Sequence, residues 1–181
     1  GTIHILEGFD HLLFVLALIL IVPGWWMLLK TITAFTLAHS VTLALATLGL
    51  VNMPGPPTEA LIALSILFLA VEIMHSREGR ITLTERYPWL VALSFGLVHG
   101  LGFAGALSEV GLPQGDIPLA LLMFNVGVET GQLLFVAVVV AIREVLNRLP
   151  LTWPEGSWRV LPYTIGGIAS FWVIERVGSF A

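Results

Sequence analysis

Apolar residues along this chain gather into six stretches, each long enough for the roughly 20-residue window that a transmembrane helix fills. They fall at residues 3–22, 29–50, 58–76, 88–108, 117–142 and 159–177, and the pattern predicts a helix over each. Between them lie the connectors VPGWW, VNMPGPP, HSREGRITLTERYP, EVGLPQGDIP and NRLPLTWPEGS, all short and most carrying the Pro and Gly that break helices. None is large enough to be a domain. The expected architecture is therefore all-α: a polytopic membrane helix bundle of about six transmembrane helices, forming one domain over residues 1–181.

Charge gives that bundle a direction. Lys30, Arg77, Arg80, Arg86, Arg143, Arg148 and Arg159 all fall at the first, third and fifth connectors, and only Arg176 lies toward the other face. Cytoplasmic loops collect Lys and Arg, so both termini are expected outside the cytoplasm. Trp25, Trp26, Trp89, Trp153 and Trp158 stand beside span ends, where indole rings anchor in the headgroup layer.

Composition agrees. The chain is 57% hydrophobic and 11% charged, against about 25% charged in a soluble domain. A net charge of −4 with scattered basic residues offers no footprint for nucleic acid. With no cysteine, disulfides, thiolate metal sites and cysteine nucleophiles are all excluded. The first residue is Gly, and no basic n-region precedes the first apolar run, so the chain is expected to be a piece of something longer.

Ionisable groups inside membrane spans are costly unless paired, hydrated or bound to metal, and here they are numerous. In the first segment, HILEGFDHLLF, His4, Glu7 and His11 fall on one face at about 100° per residue, with Asp10 on its flank. Two imidazoles and two carboxylates suit half of a site for Zn, Ni, Co, Mn or Fe, while the absence of soft donors disfavours Cu(I). The alternative for His4 and Glu7 is simple exposure at the water interface. In the second segment, FTLAHSVTL, Thr33, Thr36 and Ser40 share a stripe beside His39; hydroxyls there often bond only the carbonyl one turn back, whereas a mid-span imidazole needs a partner for its N–H. The fourth segment rings His99 with Gly96, Gly100, Gly102 and Gly105, a device for close helix approach that also suits dimerisation into a homo-oligomer. The fifth, FNVGVETGQ, puts Asn125, Glu129 and Gln132 on one stripe. In the third, Glu72 and His75 lie near the cytoplasmic end, where Glu72 is either a second polar station or an ion-pair partner for Arg77 or Arg80. Asp10, His11, His39, His99 and Glu129 share a depth that allows one site drawn from four helices.

Taken together, HILEGFDHLLF, FTLAHSVTL, FGLVHGLGFA, FNVGVETGQ and IGGIASFWVIER resemble the HupE/UreJ membrane-protein family over essentially the whole chain. That resemblance implies a protein of the bacterial inner membrane, associated with hydrogenase and urease operons and moving nickel or cobalt, with an extracytoplasmic region preceding this chain. A more distant similarity is to nickel/cobalt permeases, which carry a His-x4-Asp-His motif. Here five residues separate His4 from Asp10 and His11, and Ala38 replaces the Gly of a second permease motif, Gly-His-Ser.

Two functions follow as expectations. One is a permease for a divalent transition metal, with the lipid bilayer and the ion as its partners. Asp10, His11, His39, His99 and Glu129 then replace the hydration shell, His4 and Glu7 receive the ion, and Glu72 or His75 passes it inward, with Asn125, Gln132, Thr36 and Ser40 in support. The other is an intramembrane zinc hydrolase, with His11, His39 and His99 as ligands, Asp10 a ligand or orienting group, Glu129 the general base, and Ser40 or Asn125 an oxyanion partner. A polar path continuing to Glu72 favours the permease, and a closed site with four tight ligands the enzyme.

Overall fold

The computed structural model describes residues 1–110, 116–150, 152 and 154–180, with side chains left aside over 103–110. Trp153 and the centre of the fourth connector lie outside the described residues, and so does the surrounding of Gly105. Within them the chain is a helical membrane bundle, 84% helix and without strands.

The first apolar stretch is not one helix. It forms α1 (Thr2–Glu7) and α2 (Phe9–Ile21), parted at Gly8, whose backbone is extended (φ −82°, ψ 93°). This corrects the single-face reading of His4, Glu7 and His11: the break re-aims α1, and Glu7 is left exposed at its end. Gly8 is required here by crowding, since a β-carbon would stand 2.8 Å from the His4 carbonyl oxygen and 2.9 Å from His11 Nδ1. Broken helices of this kind supply polar helix ends within a bundle that an unbroken helix cannot.

The other apolar stretches form α3 (Trp25–Thr47), α4 (Gly55–Arg77), α6 (Pro88–Val110), α7 (Ile117–Arg148) and α8 (Val160–Gly178). Among the described residues, three of these, α3, α4 and α7, are long and apolar enough to cross a membrane by length and composition. The third connector holds a further short helix, α5 (Leu83–Arg86), opened by a capping box in which Thr82 and Glu85 bond reciprocally. At 32 residues, α7 runs six beyond its expected end. That is about 48 Å at 1.5 Å per residue, against about 30 Å of hydrocarbon, and the excess carries Arg143, Glu144 and Arg148 out of the apolar stretch.

Packing follows the small residues. α3 lies along α6, α4 along α8, α2 against α4 and α7, and α1 on α7. A β-carbon on Gly96 would meet the Phe35 carbonyl oxygen, and one on Gly100 the His39 carbonyl and Thr42 Oγ1. Gly96 and Gly100 of α6 therefore pack against α3 of the same chain, and Gly102 against Ile62 and Thr58 of α4. Gly127 and Gly131 do the same for α1: Thr2 Oγ1 donates to the Gly127 carbonyl at 3.0 Å, and Ile5 sits over Gly131. The core of Phe14, Leu18, Ile32, Phe35, Ile66, Leu69 and Ile165 fills the space between α2, α3, α4 and α8. Trp25, Trp26 and Trp89 remain exposed, while Trp158 is half-buried with the Arg159 guanidinium 5.3 Å from its ring.

Candidate metal centre

Four of the five histidines converge. His11, in the first turn of α2, has its ring centroid 4.6 Å from that of His4, 5.2 Å from His99 and 6.5 Å from His39. One ligand atom from each of His4, His11 and His39 lies within 4.8 Å of the others. At metal–nitrogen distances of about 2.0–2.1 Å, ligands of a tetrahedral ion stand about 3.3–3.4 Å apart, so a shift of somewhat under an ångström per ring closes the set.

The protons decide what this cluster can hold. Asp10 is acceptor-only as a carboxylate, so its contact at 3.0 Å fixes the proton of His11 on Nδ1. The backbone N–H of His11 donates to the same oxygen at 2.9 Å. Asn125 donates through Nδ2 to the Leu121 carbonyl at 2.8 Å, which turns its Oδ1 toward His39 and makes Nδ1 of that ring the donor, at 3.2 Å. Ser65 gives its hydroxyl proton to the Ile62 carbonyl at 2.6 Å and so accepts from His99 Nε2 at 3.1 Å. Each ring's other nitrogen, His11 Nε2, His39 Nε2 and His99 Nδ1, is left as a buried lone pair with no hydrogen-bond partner among the described residues. Buried acceptors without donors are costly, and a carbonyl, carboxamide or carboxylate on the far side of each histidine is the usual way a protein orients metal ligands. Three lone pairs beside a carboxylate suit a cation.

Aromatic rings close the cluster toward the core. Phe14 and Phe35 lie 5.0 Å and 5.1 Å from the His99 ring and 5.0 Å from each other. On the opposite side a cavity of about 230 Å³ opens, lined by His4, Asp10, His11, His99, Glu59 and Arg176 among others.

Several expected members stand elsewhere. Glu129 accepts from Thr33 Oγ1 at 2.7 Å, and Gln132 from Thr36 Oγ1 at 3.1 Å. Thr33 is six residues from His39, about 9 Å along α3, so Glu129 sits beside the cluster's neighbour Asn125 but a turn or more beyond it. Asn125, Glu129 and Gln132 thus serve three different partners on α3. Ser40 donates to the Thr36 carbonyl at 2.6 Å, as mid-membrane hydroxyls commonly do. Glu72 pairs with neither arginine proposed for it; it accepts the Thr84 backbone N–H at 2.8 Å and ties down α5. His75 lines a separate groove between α4 and α8.

The chain matches the family described as HupE / UreJ protein over residues 1–176. It belongs to the HupE/UreJ family. That membership makes it a membrane protein related to nickel and cobalt transport, and the cluster accords with transition-metal handling. No curated protein and no solved structure gives a significant match. The hydrolase expectation finds no support in HupE/UreJ membership, and both Glu129 and Ser40 are engaged with other partners.

Sequence inspection passed over Glu59 and Gly8, and gave Arg176 no role. The signal for Arg176 was present: it is the sole basic residue toward a face that carries no others. For Ser65, position on the apolar α4 opposite a histidine-bearing helix was the clue, but no spacing rule pairs residues on different helices.

Proposed function

We propose that this chain is an inner-membrane permease for a divalent transition metal, nickel or cobalt, crossing the bilayer six times with both ends outside the cytoplasm. The ion arrives from the outer side past Glu7 and Glu59, sheds water against Asp10, and is held by His4, His11 and His39 with His99 at the fourth position. What supports this is the set of three unpartnered ring nitrogens on His11, His39 and His99, each left as a lone pair by a hydrogen-bond partner on the ring's far nitrogen.

Transport needs a site tight enough to fill and loose enough to empty. A cluster drawn from three different helices can tighten around an ion and loosen again by small helix movements. The inward route runs along the α3–α7 seam, where Thr36 and Gln132, then Thr33 and Glu129, present oxygen ligands one to two turns beyond His39. The packing of Phe14 and Phe35 against His99 on the core side supports a conformation in which the site communicates with the outer side.

X-ray absorption on the zinc- or nickel-loaded protein tests the ligand set. Back-scattering from three or four imidazoles is expected, at about 2.0–2.1 Å for zinc. A bound ion with a purely oxygen shell would place it elsewhere and sink the proposal.

A further inference from the structure

The cavity above the histidines already contains a cation that belongs to the protein. Arg176, near the end of α8, reaches across the mouth with its side chain only 19% exposed. Its Nη2 lies 3.8 Å from Asp10 Oδ2, its Nε lies 3.6 Å from Glu59 Oε2, and its Nη1 donates to the Glu59 carbonyl oxygen at 2.8 Å. The guanidinium also lies 5.5 Å from the ring of Trp172. Three helices, α2, α4 and α8, therefore meet at one charge.

The two carboxylate contacts are loose. Charge-assisted N–H···O bonds run at about 2.7–2.9 Å, and these pairs stand beyond that range while the backbone bond does not. The head group is thus anchored to the Glu59 main chain and only hovers between the carboxylates. It is poised to yield them without leaving its anchor.

Resting on the permease function above, we infer that Arg176 is a tethered counter-cation that makes the outer mouth selective for divalent ions. Asp10 and Glu59 form an acidic pair that any cation would enter. With the guanidinium in place, a monovalent ion that displaces it exchanges one positive charge for another and gains nothing electrostatically. A divalent ion brings twice the charge to the same two carboxylates and gains from the exchange, since Coulomb energy scales with the product of charges. Discrimination by valence then precedes discrimination by ligand type at the histidines. An arginine at a pore constriction is a known kind of electrostatic barrier to cations, and here the acidic pair makes the barrier conditional on valence.

The consequence is read from nickel binding to the purified protein in lipid nanodiscs. Ionic strength is held constant while N-methyl-D-glucamine is replaced by sodium. Wild type should bind nickel with an affinity indifferent to sodium. Arg176→Gln should bind nickel about tenfold more tightly without sodium, having lost ~1.4 kcal/mol of repulsion, and should lose that gain as sodium rises. Arg176→Lys, which keeps the charge, should stay indifferent to sodium even if its affinity differs. A merely structural arginine would give weaker binding and a lower melting temperature with no sodium dependence, and that outcome overturns the inference. So does sodium sensitivity in wild type, or equal behaviour of all three proteins, while the permease function stands. Wild type that binds no divalent ion overturns the function and the selectivity together. Should Arg176→Gln fail to fold, Glu59→Gln replaces it: with one carboxylate gone, nickel should bind more weakly and remain indifferent to sodium, and any gain in affinity contradicts the mechanism.

Discussion

Asn125→Ala removes a residue that never touches the ion, yet it should weaken binding through His39. The carboxamide oxygen of Asn125 accepts from His39 Nδ1 at 3.2 Å and is itself held in orientation by the Leu121 carbonyl. Without it, nothing fixes the proton on Nδ1, and the inward Nε2 is no longer guaranteed to be a lone pair. Groups that orient metal-bound histidines are typically worth about 10–100-fold in affinity, or ~1.4–2.7 kcal/mol. A 3.2 Å bond is longer than the usual 2.9–3.0 Å, which places the effect at the lower end, about tenfold. The orphaned N–H of a fully buried ring should also lower stability by about 1–3 kcal/mol, so affinity must be read well below the melting temperature. Competition against a metallochromic chelator measures nickel affinity for wild type, Asn125→Ala, Asn125→Asp and His39→Ala. The aspartate retains an acceptor and should stay within a few-fold of wild type, whereas His39→Ala should lose much more than Asn125→Ala. Unchanged affinity in Asn125→Ala, or a loss equal to that of His39→Ala, would refute the orienting role.

Gly8→Ala places a methyl group 2.9 Å from His11 Nδ1 and should displace that ring from Asp10, lowering nickel affinity by about tenfold or more while circular dichroism shows unchanged helix content. Thr33→Val removes the donor to Glu129 and should slow nickel uptake into vesicles while leaving equilibrium binding intact; equal loss of both would move Glu129 into the histidine site. Glu72→Ala frees the Thr84 N–H and should cost about 1 kcal/mol in thermal stability without altering nickel binding, and a binding defect at unchanged stability would return Glu72 to the ion's path.

The helices were legible because lipid imposes one pattern: a long apolar run must become a helix, and five of the six runs appear as single helices with ends shifted by a few residues. The exception is instructive. Hydropathy averages over a window and cannot see one glycine, so the break at Gly8 was invisible, although it moves Glu7 away and brings His4 against His11. The histidines were legible as a group since an imidazole in hydrocarbon needs a reason. Their partners were not: Ser65, Asn125 and Asp10 come from three helices, and only packing shows which serves which ring. Depth alone does not say which partner Glu129 takes, since two groups at similar depth can lie a turn apart on different seams, and here it pairs with Thr33. The capping box of Thr82 and Glu85 was readable in ITLTER but was subsumed in a connector.

Uptake of radioactive nickel into vesicles carrying the purified chain tests the histidine cluster most directly, because the fifth histidine, His75, provides an internal control on α4 away from the other four. Wild type and His75→Ala should accumulate nickel at similar rates under an imposed inward gradient, and His11→Ala and His39→Ala should fall to the level of empty vesicles. No accumulation by wild type, or full accumulation by His11→Ala and His39→Ala, would contradict a permease built on these imidazoles.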